Sequence, residues 1–207
     1  LMDSVGTKIL AHIPAPEDMP VTNDDGMSIM HTYIPWWGHA MQARGELDFP
    51  RGYHVEMQGG RMMPSMALVD FLDDGQGLNG PELRAMMRRR YGGTVRMGSR
   101  GEMIPNDDCF CDLDPAVEDK RGIPVLGFHW KWGEAETRQA AHAITTFLEV
   151  IDRMGGKPVG PVERDGRKAI SKGGEIIHEV GTARMGSAAK NSVVDGFGRS
   201  WAVRNLF

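Results

Sequence analysis

Apolar and polar positions follow two periods along the chain, and the changes between them mark out its elements. Residues 27–34 (Met27-Ser28-Ile29-Met30-His31-Thr32-Tyr33-Ile34) alternate with period two behind the turn signal Asp24-Asp25-Gly26 and ahead of Pro35, the pattern of a half-buried strand. Residues 51–57 predict another short strand, broken at Gly59-Gly60. At Pro81 the period becomes helical. Proline suits a first helical position, Leu83, Met86, Met87 and Arg90 follow at helical spacing, and Gly92-Gly93 closes a helix over 81–91. The stretch 97–113 predicts a strand pair turning at the glycine cluster 98–101, with Cys109-Phe110-Cys111-Asp112-Leu113 alternating on its second arm.

A strand over 125–132 places Phe128, Trp130 and Trp132 on one face and His129 and Lys131 on the other. The longest helix is expected over 134–154, with Ala140, Ile144, Phe147, Leu148 and Ile151 as its apolar stripe and Gly155-Gly156 as its left-handed stop. After the polar loop 158–167, residues 175–180 are expected to re-enter as a strand carrying His178. Strands and helices segregate without strand–helix–strand alternation. The predicted fold class is therefore α+β, a mainly antiparallel sheet packed with helices.

Composition narrows the function classes. A net charge of -4 and a pI near 6.0 leave no electrostatic footprint for nucleic acid. No apolar run approaches the roughly 20 residues of a membrane-spanning helix. Cys109 and Cys111 stand too close together for an ordinary disulfide framework, so cysteine usage leaves the compartment open between cytoplasm and periplasm. Residues 106–114 are acidic and carry both cysteines, yet they lack the glycine and terminal glutamate of a calcium loop and the second Cys/His pair of a zinc site. No metal is expected.

Gly75-Gln76-Gly77-Leu78-Asn79-Gly80 spells the dinucleotide fingerprint and precedes a helix. Asp73-Asp74 interrupts the strand that should lead into it, however, and Pro81 follows at once, so a surface turn is expected. Trp36-Trp37 and the run His129-Trp130-Lys131 are candidates for sugar contact, since apolar C–H faces pack on indoles and polar neighbours take hydroxyls. Tryptophans in the core of an antiparallel sheet give the same spacing. His178, ahead of Gly181-Thr182, is a candidate base, although on spacing alone an ordinary strand histidine beside a bend is the more frequent case.

The run His178-Glu179-Val180-Gly181-Thr182-Ala183-Arg184-Met185-Gly186, followed by Val193-Val194-Asp195 and Trp201-Ala202-Val203-Arg204-Asn205-Leu206-Phe207, resembles the active-site segment of the glucose-methanol-choline (GMC) flavin oxidoreductases. Asp114-Pro115, Asp119 and Gly122-Ile123-Pro124 resemble the C-terminal domain of the same family. The Phe-His-Trp-Lys-Trp run is similar to its sugar or glucoside dehydrogenase branch. The resemblance implies FAD as cofactor and an alcohol or sugar as substrate. It implies His178 as the base, His129, Trp130 and Lys131 as substrate neighbours, and oxygen, a quinone or a cytochrome as electron acceptor.

The resemblance further implies a substrate-binding domain over 1–192 and, over 193–207, the start of the return to a flavin domain. The chain is thus expected to be an internal fragment, inactive alone, with most flavin contacts before Leu1 and a second catalytic residue beyond Phe207. A non-catalytic carbohydrate-binding module derived from the same domain is the alternative.

Overall fold

The computed structural model describes residues 1–17, 19–20, 32–60, 77 and 79–207, and they form two compact units. One, the sheet unit, contains Val5–Glu102 and Glu134–Ser171; the other, the hairpin unit, contains Leu1–Ser4, Met103–Gly133 and Lys172–Phe207. Every pair of named strands is antiparallel. The class is α+β.

In the sheet unit the strands are β1 (Val5–His12), β2 (Thr32–Ile34), β3 (Tyr53–Gly60), β4 (Gly92–Gly101) and a short strand at Lys157–Pro158, in the order β2, β3, β4, β1, Lys157–Pro158. Period-two patterning sets the register. Thr7, Ile9 and Ala11 lie opposite Ser99, Met97 and Val95, and these six side chains form one buried face. The buried hydroxyls of Thr7 and Ser99 satisfy one another at 2.8 Å. Helices α1 (His39–Ala43) and α2 (Gly80–Arg90) bury no residue; Arg89 of α2 donates to Glu17 at 2.9 Å.

The long helix α3 (Glu134–Arg153) packs its stripe on this face, and Ala140, Ile144, Phe147 and Ile151 are all buried. Glu134 and Glu136 in its first turn complement the helix dipole. It ends where the two glycines require. Gly155 turns left-handed at φ 67, its N–H reaches Asp152 O at 2.9 Å, and Gly156 N–H reaches Ile151 O at 2.9 Å. A short helix α4 (Gly166–Ala169) follows, capped by the Asp165 carboxylate.

Two expectations are corrected here. The cluster 98–101 is not a turn: β4 runs through it, neither Gly98 nor Gly101 adopts positive φ, and no strand pair forms within 97–113. Small residues sit there for packing. A Cβ on Gly101 would lie 1.8 Å from Gln139 Oε1 of α3, so glycine marks the close approach of helix to sheet. Gly92-Gly93 likewise begins β4 rather than only stopping α2. Residues 27–31 of the expected strand and residues 75, 76 and 78 of the glycine run lie outside the described residues.

Trp36 belongs to this unit's core. Its indole lies over Gly38 and Gly52, where a Cβ would meet the ring at 2.1 and 2.6 Å, and its centroid is 4.8 Å from that of Tyr53. The Tyr53 hydroxyl, in turn, sits 2.7 Å from His142 Nδ1 and 3.1 Å from Thr146 Oγ1.

In the hairpin unit β5 (Phe110–Glu118) pairs with β6 (Pro124–His129). The turn joining them is the expected one. Asp119 Oδ1 accepts from Arg121 N at 2.7 Å and Ile123 N at 3.0 Å, and Gly122 takes φ 77. Register is lost between Leu113 and Glu118, where Asp114 Oδ1 instead accepts from Ala116 N and Val117 N beside Pro115. The strand expected over 125–132 stops at His129. The rest of the unit is loop, joined by isolated bridges.

Burial pushes the Tyr53 phenol from 10.0 up to about 12, against a downward pull from Thr146, with the Glu149 charge adding to the rise. A phenol that ionises later when folded contributes stability that is complete below pH 10 and lost as pH rises toward 12. Tyr53→Phe is therefore expected to flatten the fall in urea midpoint across that alkaline window. An unchanged slope in the variant would place the alkaline loss elsewhere.

Candidate functional site

The segment carrying His178 is positioned by the first residues of the chain. Met2 and Val180 exchange two backbone hydrogen bonds, each 2.9 Å. Beside them Asp3, only 4% exposed, accepts through Oδ1 from Ser4 N at 2.7 Å and from the backbone N–H of His178 at 3.3 Å. Residues 175–180 do not form the expected strand. Only Val180 pairs, and Ile177 takes φ 57, a left-handed value uncommon for any residue but glycine and an outlier for a β-branched side chain. Alternation of side chains cannot make a strand without a partner edge; here Asp3 and Met2 supply two point contacts instead.

His178 is exposed. After it, Gly181 turns at φ 78, and a Cβ there would stand 2.7 Å from Met2 Cε. The following residues act mostly through their backbone. Arg184 O accepts from Val193 N at 2.8 Å and Val194 N at 3.2 Å, while its guanidinium donates to Asp107 at 2.9 Å. Gly186 lies where a Cβ would press on Ser192 at 2.7 Å, and Ser192 Oγ receives the Trp201 indole N–H at 2.9 Å. Asp195 closes the segment with a turn, accepting from Phe197 N at 2.8 Å and Arg199 N at 3.1 Å. These donors, the Phe197 N–H foremost, hold its carboxyl below the usual range despite the opposing effect of burial.

Two cavities are lined by residues close to His178 in sequence, although His178 itself lines neither. One, of about 340 Å³, is lined by Leu1, Asp3, Phe128, Trp130, Gly173-Gly174 and Glu179. The other, wider and more open, of about 1090 Å³, has as its walls residues 105–107, 109–111, 181–185 and 189–193, with Leu1 and Met2. His178 precedes Glu179 of the first wall and Gly181 of the second.

The remaining sequence candidates separate. Trp130 lines the smaller cavity, pressed by Gly173, whose Cβ would meet the indole at 2.8 Å, and meets Trp132 edge-on at 4.2 Å. His129 and Lys131 line neither cavity, although each touches a wall residue of the larger one, Phe110 and Cys109 respectively. The His129 ring stacks on Phe110 at 4.2 Å and approaches Asp112 at 3.2 Å; Lys131 pairs with Asp108 at 3.0 Å, which raises its pKa. Asp3, Glu179 and Gly173 went unnoticed in the sequence. Nothing in local spacing marks them, because their roles arise from contacts across the chain.

Among the described residues, no group of three or more His, Cys, Asp or Glu side chains converges to hold a metal, and no helix is long and apolar enough to cross a membrane.

The model of the GMC oxidoreductase family, for its C-terminal domain, matches residues 105–207, a span that includes the hairpin, Trp130 and the whole His178 segment. The chain belongs, through this half, to the GMC oxidoreductases. It is 26% identical over 128 residues to a 2-methyl-1,2-propanediol dehydrogenase from Mycolicibacterium austroafricanum, covering 62% of this chain and 22% of the relative. It is 25% identical over 129 residues to a gluconate 2-dehydrogenase flavoprotein from Pantoea cypripedii, covering 62% and 21%. The chain thus spans about a fifth of the length of these relatives.

The turn at Asp195 is expected to depend on its carboxylate. Asp195→Ala should speed hydrogen exchange at the Phe197 and Arg199 amides, read by NMR, while leaving the amides of α3 unchanged. Unaltered protection at both would mean that the backbone holds the turn without its acceptor.

Proposed function

We propose that this chain supplies the substrate-facing part of an FAD-dependent dehydrogenase acting on CH–OH groups of a sugar or related polyol, with His178 as the proton acceptor. One observation carries the reading: an exposed imidazole whose backbone is pinned by buried Asp3 at 3.3 Å, a few residues from the walls of two cavities. Membership of the GMC oxidoreductases supports it. So do two relatives that are both named dehydrogenases, one of them a flavoprotein.

The described residues fit one side of such a cofactor only. All named strand pairs are antiparallel, so no parallel strand–helix–strand unit is present to cradle a pyrophosphate. The open wall at Gly181, Thr182 and Ala183, by contrast, offers backbone and small side chains for a planar ring to approach. When bound, FAD would take the hydride from the carbinol carbon. His178 takes the hydroxyl proton, so that the carbinol becomes a carbonyl; a neutral imidazole is suited to this near pH 7. Asp3 holds the backbone that presents the ring. Trp130 and Phe128 give the substrate carbons an apolar wall, while His129 and Lys131 direct their polar groups to Asp112 and Asp108.

The test uses a protein in which this chain is joined to a flavin-binding domain. His178→Ala is expected to retain flavin and to slow flavin reduction by a polyol by roughly 10²–10⁴-fold in stopped-flow bleaching. A variant that bleaches within a few-fold of wild type would remove His178 from the chemistry.

A further inference from the structure

Gly98 stands in the interior of β4, where a glycine weakens a strand and its presence calls for a reason. The ordinary reasons are a bulge, a left-handed turn or another part of the chain pressed against it. Gly101 in the same cluster sits under α3; Gly98 has no such neighbour. Register runs unbroken through Gly98 toward both β1 and β3, and its φ is not positive. A Cβ added to it would meet only ordinary van der Waals contacts among the described residues, Thr7 O at 3.6 Å and Arg100 Nη1 at 3.7 Å.

The missing side chain leaves a hollow on the face of the sheet opposite α3. Alternation along β4 puts Arg96 and Arg100 on that face, to either side of Gly98, while pairing sets Lys8 of β1 against one flank of the glycine and Glu56 of β3 against the other. Neighbouring strands lie about 4.8 Å apart, so these side chains rim one small patch. Among the described residues no helix is packed on this face, since α1 and α2 bury no residue and α3 lies on the other.

The charges here are incompletely paired. The Arg100 guanidinium leans back toward Gly98 and gives one Nη1 hydrogen to Ser99 O at 3.0 Å, while its Nη2 stands 3.6 Å from Glu56 Oε2, beyond hydrogen-bond length. Glu56 is also met by His54 Nε2 at 3.2 Å, and the His54 ring lies 4.6 Å from that of Tyr33. Lys8 is exposed and makes no hydrogen bond or ion pair among the described residues. Arg96 has a contact of its own and is left out of the count. Lys8 and Arg100 against Glu56 leave a single positive charge at the hollow, with terminal guanidinium N–H groups still to be satisfied.

A planar carboxylate matches that demand. It accepts two N–H groups of a guanidinium side by side, takes a charge-assisted bond from an ammonium, and neutralises one charge. A phosphate dianion would bring a second negative charge beside Glu56. We propose that the hollow at Gly98 binds a small carboxylate anion, held between the Arg100 guanidinium and the Lys8 ammonium, with the glycine making room for it. The site lies wholly within the sheet unit and does not depend on the reading of His178.

Titration of the 207-residue chain with acetate, acetamide and phosphate at pH 8 and constant ionic strength, followed through the backbone amides of residues 97–99 in NMR, tests this. Acetate should shift these amides saturably, and acetamide, its uncharged counterpart of the same shape, should not. Phosphate, mostly a dianion at this pH, should bind more weakly than acetate. Arg100→Gln should weaken acetate by about ten-fold or more, the scale of a lost hydrogen bond to a charged group, and Lys8→Gln by about two- to five-fold, the scale of an exposed ion pair. Gly98→Ala should weaken acetate while the urea midpoint stays level or rises, because the methyl fills the hollow without a clash. Lys8 is exposed, so its variant decides the matter even if Arg100→Gln fails to fold.

Acetamide shifting the same amides, phosphate binding as tightly as acetate, or an acetate affinity indifferent to Lys8→Gln would overturn the proposal. Gly98→Ala with a lowered urea midpoint and unchanged acetate affinity would do the same, by assigning the glycine to packing.

Discussion

A carboxylate at position 3 holds the backbone N–H of position 178, a hydrogen bond that spans 175 residues of sequence. The hairpin unit depends on this contact and on its neighbour, the Met2–Val180 pair, because the segment 172–181 has no strand to join and little secondary structure of its own. Closing so long a loop costs entropy that grows only slowly with its length, so a few well-made contacts suffice once the intervening chain is itself folded. Asp3 is suited to the task because a buried carboxylate demands donors. The N–H of neighbouring Ser4 and that of distant His178 supply them, so loss of the geometry would also cost the carboxylate a donor.

The sheet unit is held by a different kind of interaction. Its order comes from area and fit: a five-stranded sheet with one alternating face, one amphipathic helix laid on it, and Phe147, Met97 and Val55 fully enclosed between them. Polar groups that enter this layer pair locally, as Thr7 does with Ser99 and Tyr53 with His142 and Thr146. None of this positions His178. The contrast bears on function: substitutions in the sheet unit act on stability first, whereas in the hairpin unit single polar contacts decide where the imidazole and the cavity walls stand.

That division also explains what the sequence disclosed. Helix α3 was legible to within a residue, because its apolar stripe and paired glycines pointed the same way, and the antiparallel α+β class followed from segregated strands and helices. The glycines of 98–101 misled because a glycine placed for close helix approach has the same letter as one placed for a turn; the distinction is the Gln139 side chain above Gly101. The run 175–180 misled because alternation predicts which side chains share a face, not whether an edge exists to pair with. The tryptophans could not be sorted by spacing at all. Trp36 went into the core and Trp130 to a cavity wall, and what separates them is the set of distant neighbours, Gly38 and Gly52 for one and Gly173 for the other. Family resemblance supplied His178, while Asp3 lay beyond both pattern and motif.

The motif around His178 therefore reads chiefly as a description of backbone shape. Gly181 is where Met2 leaves no room for a Cβ, Gly186 is where Ser192 leaves none, Arg184 contributes its carbonyl to two amides, and Asp195 folds its own turn. Such residues can all be present in a chain whose histidine is nonetheless poorly presented, because the motif does not contain the carboxylate that pins it. Conversely, the walls of the smaller cavity, Asp3, Phe128, Trp130 and Glu179, lie at or outside the edges of the motif and come from three separate stretches of the chain. The residues that shape the motif's backbone and those that wall the smaller cavity are thus largely different. They meet at Asp3, whose Oδ1 accepts from the His178 N–H and whose own side chain is buried among those walls.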